Sequence, residues 1–145
     1  GTTFAGIFIL ASGTFVAHVG DSRVYRFRDK QLEQLTEDHS LLNEYIKMGR
    51  LTPEEIERFP HKNVIMRALG MKDTVKVDTR YEEPKIGDVF LICSDGLTGP
   101  VSDEEVTKIL SENDEIKIAG AKLIEKANEN GGPDNITCVL VRIVE

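Results

Sequence analysis

Within the first 36 residues, four short apolar or β-branched runs follow one another, each separated from the next by a two-residue turn signal. The runs are Thr2 to Ala11, Thr14 to Val19, the alternating Val24, Tyr25 and Phe27, and Gln31 to Thr36. Ser12-Gly13, Gly20-Asp21 and Asp29-Lys30 stand between them. Segments this short, joined this tightly, can pair only with their neighbours in opposite directions, so this part of the chain reads as an antiparallel meander of hairpins.

The middle of the chain changes period. Ser40 can cap a helix carrying Leu42, Tyr45 and Ile46 at helical spacing, and Gly49 can stop it. Thr52-Pro53-Glu54-Glu55 is a compact helix start, and Phe59-Pro60 ends that helix early. Asn63 to Leu69 reads as a further short helix or a turn, and Thr74 to Tyr81 as a strand. Val89 to Cys93 is a continuous apolar run, the pattern of a strand buried on both faces. Ser102 with Glu105 makes a capping box for a helix through Leu110. Asp114 opens a longer helix with Ile116, Ala119, Leu123, Ile124 and Ala127 on one stripe, ended by Gly131-Gly132. Ile136 to Val144 is the last strand. With no repeat, linker or low-complexity tract, residues 1–145 read as one α+β domain. Gly1 is not an initiator Met and the chain opens directly into a strand-like segment, so it reads as a piece of a larger domain.

Composition narrows the function. The net charge is −7, and the single basic stretch, Arg23 to Lys30, is interrupted by Asp29 and reads as the solvent face of a hairpin. Nucleic acid is therefore not an expected partner. The longest apolar run, Phe4 to Ala11, is far shorter than the roughly 20 residues of a membrane-spanning helix, and no basic region precedes it as in a signal peptide. Cys93 and Cys138 each lie within an apolar run and read as buried, reduced thiols of a cytoplasmic protein. His18, His39 and His61 read as packing, helix-start and loop residues.

Three aspartates stand out by position. Asp21 follows one strand within Gly20-Asp21-Ser22, Asp95 follows another within Ser94-Asp95-Gly96, and Asp134 precedes the last within Gly132-Pro133-Asp134-Asn135. Each sits where a strand meets a glycine-containing turn. Glycine permits close backbone approach, and a strand end holds a carboxylate more firmly than a loop does. Carboxylates from separate strand ends can share a hard cation such as Mg²⁺ or Mn²⁺. Gly-Asp and Asp-Gly are also ordinary turn pairs, and spacing alone does not decide between the two.

The order of blocks does decide. Gly1-Thr2-Thr3, Ala17-His18-Val19-Gly20-Asp21-Ser22-Arg23, Leu35-Thr36-Glu37-Asp38-His39-Ser40 and Arg67-Ala68-Leu69-Gly70 come first. Gly87-Asp88, Cys93-Ser94-Asp95-Gly96-Leu97-Thr98 and Gly131-Gly132-Pro133-Asp134-Asn135-Ile136-Thr137 follow. Together, over essentially the whole chain, they resemble the metal-dependent Ser/Thr protein phosphatases of the type 2C family, above all the small bacterial ones. The resemblance implies two antiparallel sheets packed face to face with helices outside, in α-β-β-α layers. It implies a site in which water bridging two divalent ions attacks a phosphoserine or phosphothreonine. Asp95 and Asp134 correspond to ligands of that dinuclear centre, and Asp21 to a ligand of a third, weaker ion shared with Asp95. Ser94, Gly96 and Asn135 correspond to supports around the ligands, and about 41–70 to the flap beside the site. Substrates would be phosphoproteins, targets of a Ser/Thr kinase in bacterial signalling.

The chain also departs from the family. The family's Asp-Gly-x-Gly-Gly-His segment, an earlier acidic residue and a phosphate-binding arginine have no counterpart in these residues. The chain alone is therefore expected to be inactive or nearly so, with part of its apolar surface uncovered. The competing reading is a non-catalytic, phosphatase-like binding or regulatory module.

Overall fold

A computed structural model describes residues 1–145. The meander forms as β1 (Phe4–Leu10), β2 (Gly13–Val19), β3 (Arg23–Arg28) and β4 (Gln31–Gln34). Asp29 and Lys30 both take positive φ, 51° and 60°, as a two-residue hairpin turn that matches strand twist requires. The later strands are β5 (Asp78–Glu82), β6 (Val89–Cys93) and β7 (Cys138–Arg142). Two sheets result, ordered β1-β2-β5 and β4-β3-β6-β7, with every pairing antiparallel.

Helix α1 (Leu41–Lys47) starts at Ser40, whose hydroxyl accepts from the Asn43 N–H. Helix α2 (Pro53–Glu57) carries the Thr52–Glu55 capping box. A single turn, α3 (Asp95–Thr98), follows β6. The Ser102–Glu105 box starts α4 (Asp103–Glu112), and α5 (Ile116–Glu129) starts after Glu115, without a side-chain cap. No helix is long and apolar enough to cross a membrane.

Strand β6 is the pivot of the packing, and its continuous apolar sequence is buried as expected. Leu91 and Cys93 point to a cluster shared with Leu97, Val106 and Leu123 of the helical layer. Phe90 points the other way, into an inter-sheet cluster with Val16, Val24 and Leu35. Helices α4 and α5 cover only the β4-β3-β6-β7 sheet. On the outer face of β1-β2-β5, Phe8, Phe15 and Tyr81 lie opposite one another across three strands, and with Leu10 they are exposed.

Of the two readings of Asn63 to Leu69, the turn rather than the helix is found: a turn over 60–63 is followed by isolated bridges that tie Ile65 to Ser40 and Leu69 to Thr2. Three expectations need correction. Strand β5 begins at Asp78 rather than Thr74, because its partner β2 turns away beyond His18 at Gly20. Strand β7 is shorter than 136–144. The arginines of β3 are not a solvent face. Arg26 and Arg28 alternate with the buried Tyr25 and the half-buried Phe27. Arg26 bonds Glu82 of the facing sheet together with Glu33, and Arg28 bonds Asp88.

Candidate metal centre

Sheet register brings the candidate aspartates to one end of the β3-β6-β7 layer. Arg23 lies opposite Cys93, and Cys93 lies opposite Cys138. Continued by two residues, the first register sets Asp21 across from Asp95. The second sets Asp95 beside the turn that carries Asp134.

The contacts bear this out for the backbone. The Ser94 N–H donates to the Thr137 carbonyl at 3.1 Å, and the Thr137 N–H donates to the Ser94 hydroxyl at 3.1 Å. The same hydroxyl donates to the Asn135 carbonyl at 3.3 Å. A Cβ at Gly96 would stand 2.0 Å from the Asn135 carbonyl oxygen, so only glycine allows the two turns to meet. Gly20, before Asp21, lies at φ 111°, where a side chain would be strained.

The three carboxylates differ in setting. Asp21 is buried; burial and then the charge of Asp95 raise its pKa, against the lowering effect of a backbone hydrogen bond. Asp95 is half-buried at the first residue of α3, and Asp134 is exposed, with Oδ1 accepting its neighbour Asn135 N–H at 2.7 Å. None of the three is paired with a lysine or arginine. Carboxylates gathered at one sheet end, one of them raised by another's charge, with no cationic side chain bonded to them, suit a hard divalent cation.

A second group was not legible as a group in the sequence. His18, His39 and Asp78 offer ligand atoms within 4.8 Å of one another. His39 is already engaged on both sides. Its Nδ1 accepts the Gly20 N–H at 3.0 Å, which leaves the proton on Nε2 to be donated to Asp78 at 2.9 Å. His18 stacks on His39 with ring centroids 4.6 Å apart and donates from Nε2 to the Glu37 carbonyl at 2.7 Å. Arg67 donates to Asp78 at 2.8 Å, and the Met66 N–H donates to the His39 carbonyl at 2.8 Å. The imidazole of His39 thus works as a post between the Gly20-Asp21 turn and β5, and the 41–70 segment joins it through the His39 carbonyl and through Asp78. Its hydrogen-bond partners are 19 and 39 residues away, and no local spacing announces them.

Thiol chemistry does not compete for the site. Burial pushes the Cys93 thiol up to about 12 and raises that of Cys138, so neither is an ionised nucleophile at neutral pH.

No protein-family model matches the chain. It is 41% identical over 141 residues to the serine/threonine phosphatase stp of Listeria monocytogenes, a match covering 97% of this chain and 56% of that protein. In structure it superposes on the serine/threonine phosphatase Stp1 from Staphylococcus aureus with a TM-score of 0.92 at 34% identity, over 99% of this chain and 56% of that one. It also matches the catalytic domain of the serine/threonine protein phosphatase PstP, solved in complex with two manganese ions, with a TM-score of 0.83 at 37% identity, over 99% of this chain and 59% of that one. The chain therefore spans between half and two thirds of the length of these relatives. Sequence and fold agree from end to end, and the chain belongs to the metal-dependent Ser/Thr protein phosphatases of the type 2C family.

Proposed function

We propose that these residues form part of a phosphatase domain that hydrolyses phosphoserine and phosphothreonine in proteins. Within that domain they supply Asp95 and Asp134 to a pair of divalent ions, Mg²⁺ or Mn²⁺, and Asp21 to a third, weaker ion shared with Asp95. The observation that carries the reading is the contact between the Ser94-Asp95-Gly96 and Asp134-Asn135 turns, made through the Ser94 hydroxyl and Gly96, which sets side by side two carboxylates with no lysine or arginine bonded to them.

The residues divide the work. Asp95 and Asp134 hold the cations from two neighbouring strand ends. Ser94 fixes the spacing of those ends through its hydroxyl, and Gly96 lets them touch. Asn135 accepts from Ser94 through its carbonyl and donates its own N–H to Asp134, so it aims that carboxylate. When bound, the ions supply a hydroxide from water near neutral pH and the positive charge that a phosphate dianion needs beside so many carboxylates. The 41–70 segment, tied to the Asp21 turn through His39, borders the site as a flap. Substrates are phosphoproteins that a Ser/Thr kinase has modified, in the cytoplasm.

Residues equivalent to the family's glycine-rich aspartate segment are absent from these 145. The 145-residue chain by itself is therefore inactive. Incubation with p-nitrophenyl phosphate and Mn²⁺ should give no turnover above buffer. Joined to a relative's preceding segment, the same chain should hydrolyse it, and Asp95→Asn should abolish that activity. Turnover by the 145 residues alone, or full activity of the joined Asp95→Asn variant, would overturn the proposal.

A further inference from the structure

Strands β6 and β7 carry one cysteine each, and register sets Cys93 directly opposite Cys138. The hydrogen bonds fix the type of pair. Ser94 donates to Thr137 on one side, and Ile143 donates to Asp88 further along the same ladder. Alternate pairs in an antiparallel ladder are hydrogen-bonded, so Cys93 and Cys138 form a non-bonded pair, with Cα atoms about 4.5 Å apart and side chains on one face. That separation lies within the range a disulfide accepts, about 4.4 to 6.8 Å. Both side chains point to the helical layer, Cys93 inside its cluster and Cys138 at its edge. Both are free thiols. Cys138 also lines an open groove of about 370 Å³ between α5 and β7, beside Gly120, Ile124 and Leu140, so small solutes reach its sulfur from solvent.

We infer that Cys93 and Cys138 are an oxidisable cross-strand pair, converted by a peroxide to a disulfide that staples β6 to β7 directly beneath the Asp95 and Asp134 turns. In the first step Cys138 gives up its proton and the small fraction present as thiolate attacks a peroxide oxygen. The O–O bond breaks, water leaves, and Cys138 becomes a sulfenic acid. In the second, the Cys93 sulfur attacks the Cys138 sulfur, the S–O bond breaks, and the departing hydroxide takes the Cys93 proton as water. The two thiols lose two electrons and two protons, and hydrogen peroxide is reduced to two waters. Neither step needs the metal, and the inference stands apart from the proposed function.

The test is hydrogen peroxide treatment of the 145-residue chain, followed by intact-mass and peptide mapping without reductant and by a thermal melt. The expected result is a monomer lighter by two hydrogens, with the Cys93 and Cys138 peptides linked. Its melting temperature should rise by on the order of 10 °C, because the cross-link closes a long loop in the unfolded chain. Dithiothreitol should reverse the rise, and the Cys138→Ala variant, made at the partly buried member of the pair, should show neither link nor rise. Oxidation that stops at a sulfinic acid on Cys138 with Cys93 still open to alkylation, or that links separate chains, would overturn the inference.

Discussion

Two sets of carboxylates in this molecule are treated in opposite ways. Toward one end of the sandwich, Glu33, Glu82 and Asp88 are each bonded to a guanidinium: Arg26 and Arg80 bracket Glu33 and Glu82, and Arg28 holds Asp88 at 2.6 Å. At the other, Asp21, Asp95 and Asp134 gather with no such partner. Buried charge persists only where something opposes it. The paired set finds its opposing charge within the chain: Arg26–Glu82 and Arg80–Glu33 tie the two sheets together, and Arg28 ties the start of β6 to β3 through Asp88. In the unpaired set only Asp21 is buried, and no lysine or arginine of the chain is bonded to it; Asp95 is half-buried and Asp134 faces solvent.

The largest effect is expected among the paired carboxylates. Asp88 is 1% exposed. Burial alone would raise its pKa, but Arg28 and the Lys85 N–H outweigh that and hold it low. Asp88→Ala should lower unfolding stability by about 3 kcal/mol in urea titrations, toward the low end for a broken buried pair because Arg28 can reach solvent. A loss under about 1 kcal/mol would mean that the pairing is superficial.

Acid should act on the post that connects the two regimes. Burial lowers the pKa of His39, and Arg67 and His18 lower it further, against the raising effect of Asp78. Its folded pKa therefore lies below the unfolded value near 6.5, and stability is full above that pH and falls as pH drops below it. Asp78 is held at about 2; its burial is outweighed by hydrogen bonds from His39 and Arg67, so its contribution is lost between about pH 4 and 2. In chemical denaturation across pH, His39→Gln should flatten the slope between pH 6.5 and 5 and also reduce the one between 4 and 2, because Asp78 then keeps its hydrogen bond from Arg67 but loses the His39 imidazole. An unchanged slope near pH 6 would detach His39 from the Gly20-Asp21 turn.

The smallest effect has the opposite sign. Asp21→Asn removes a buried charge that Asp95 repels, so without metal it should be neutral or stabilising, by up to about 0.5 kcal/mol. Clear destabilisation would show that Asp21 is already compensated within the chain.

Much of this was legible in the sequence, for local reasons. The Thr52 and Ser102 capping boxes, the Asp29-Lys30 hairpin and the apolar run of β6 each follow from a few adjacent residues. The glycine-containing turns placed the three aspartates at strand ends, and their role as ligands belongs to the proposal. What escaped was set at long range. Arg26 and Arg28 looked solvent-facing because their partners Glu82 and Asp88 lie 56 and 60 residues later. Likewise, the start of β5 depends on where β2 turns away, and the His39 post on Asp78 and Arg67. The bare aromatic row of Phe8, Phe15 and Tyr81 reads as ordinary strand sequence until the helices are seen to cover only the other sheet.

The most direct test is calorimetric titration of Mn²⁺ into the 145-residue chain and into its Asp95→Asn, Asp134→Asn double variant. Weak, saturable binding by the first and none by the second is the predicted outcome. Equal heats from both proteins would show that these strand ends are ordinary turns.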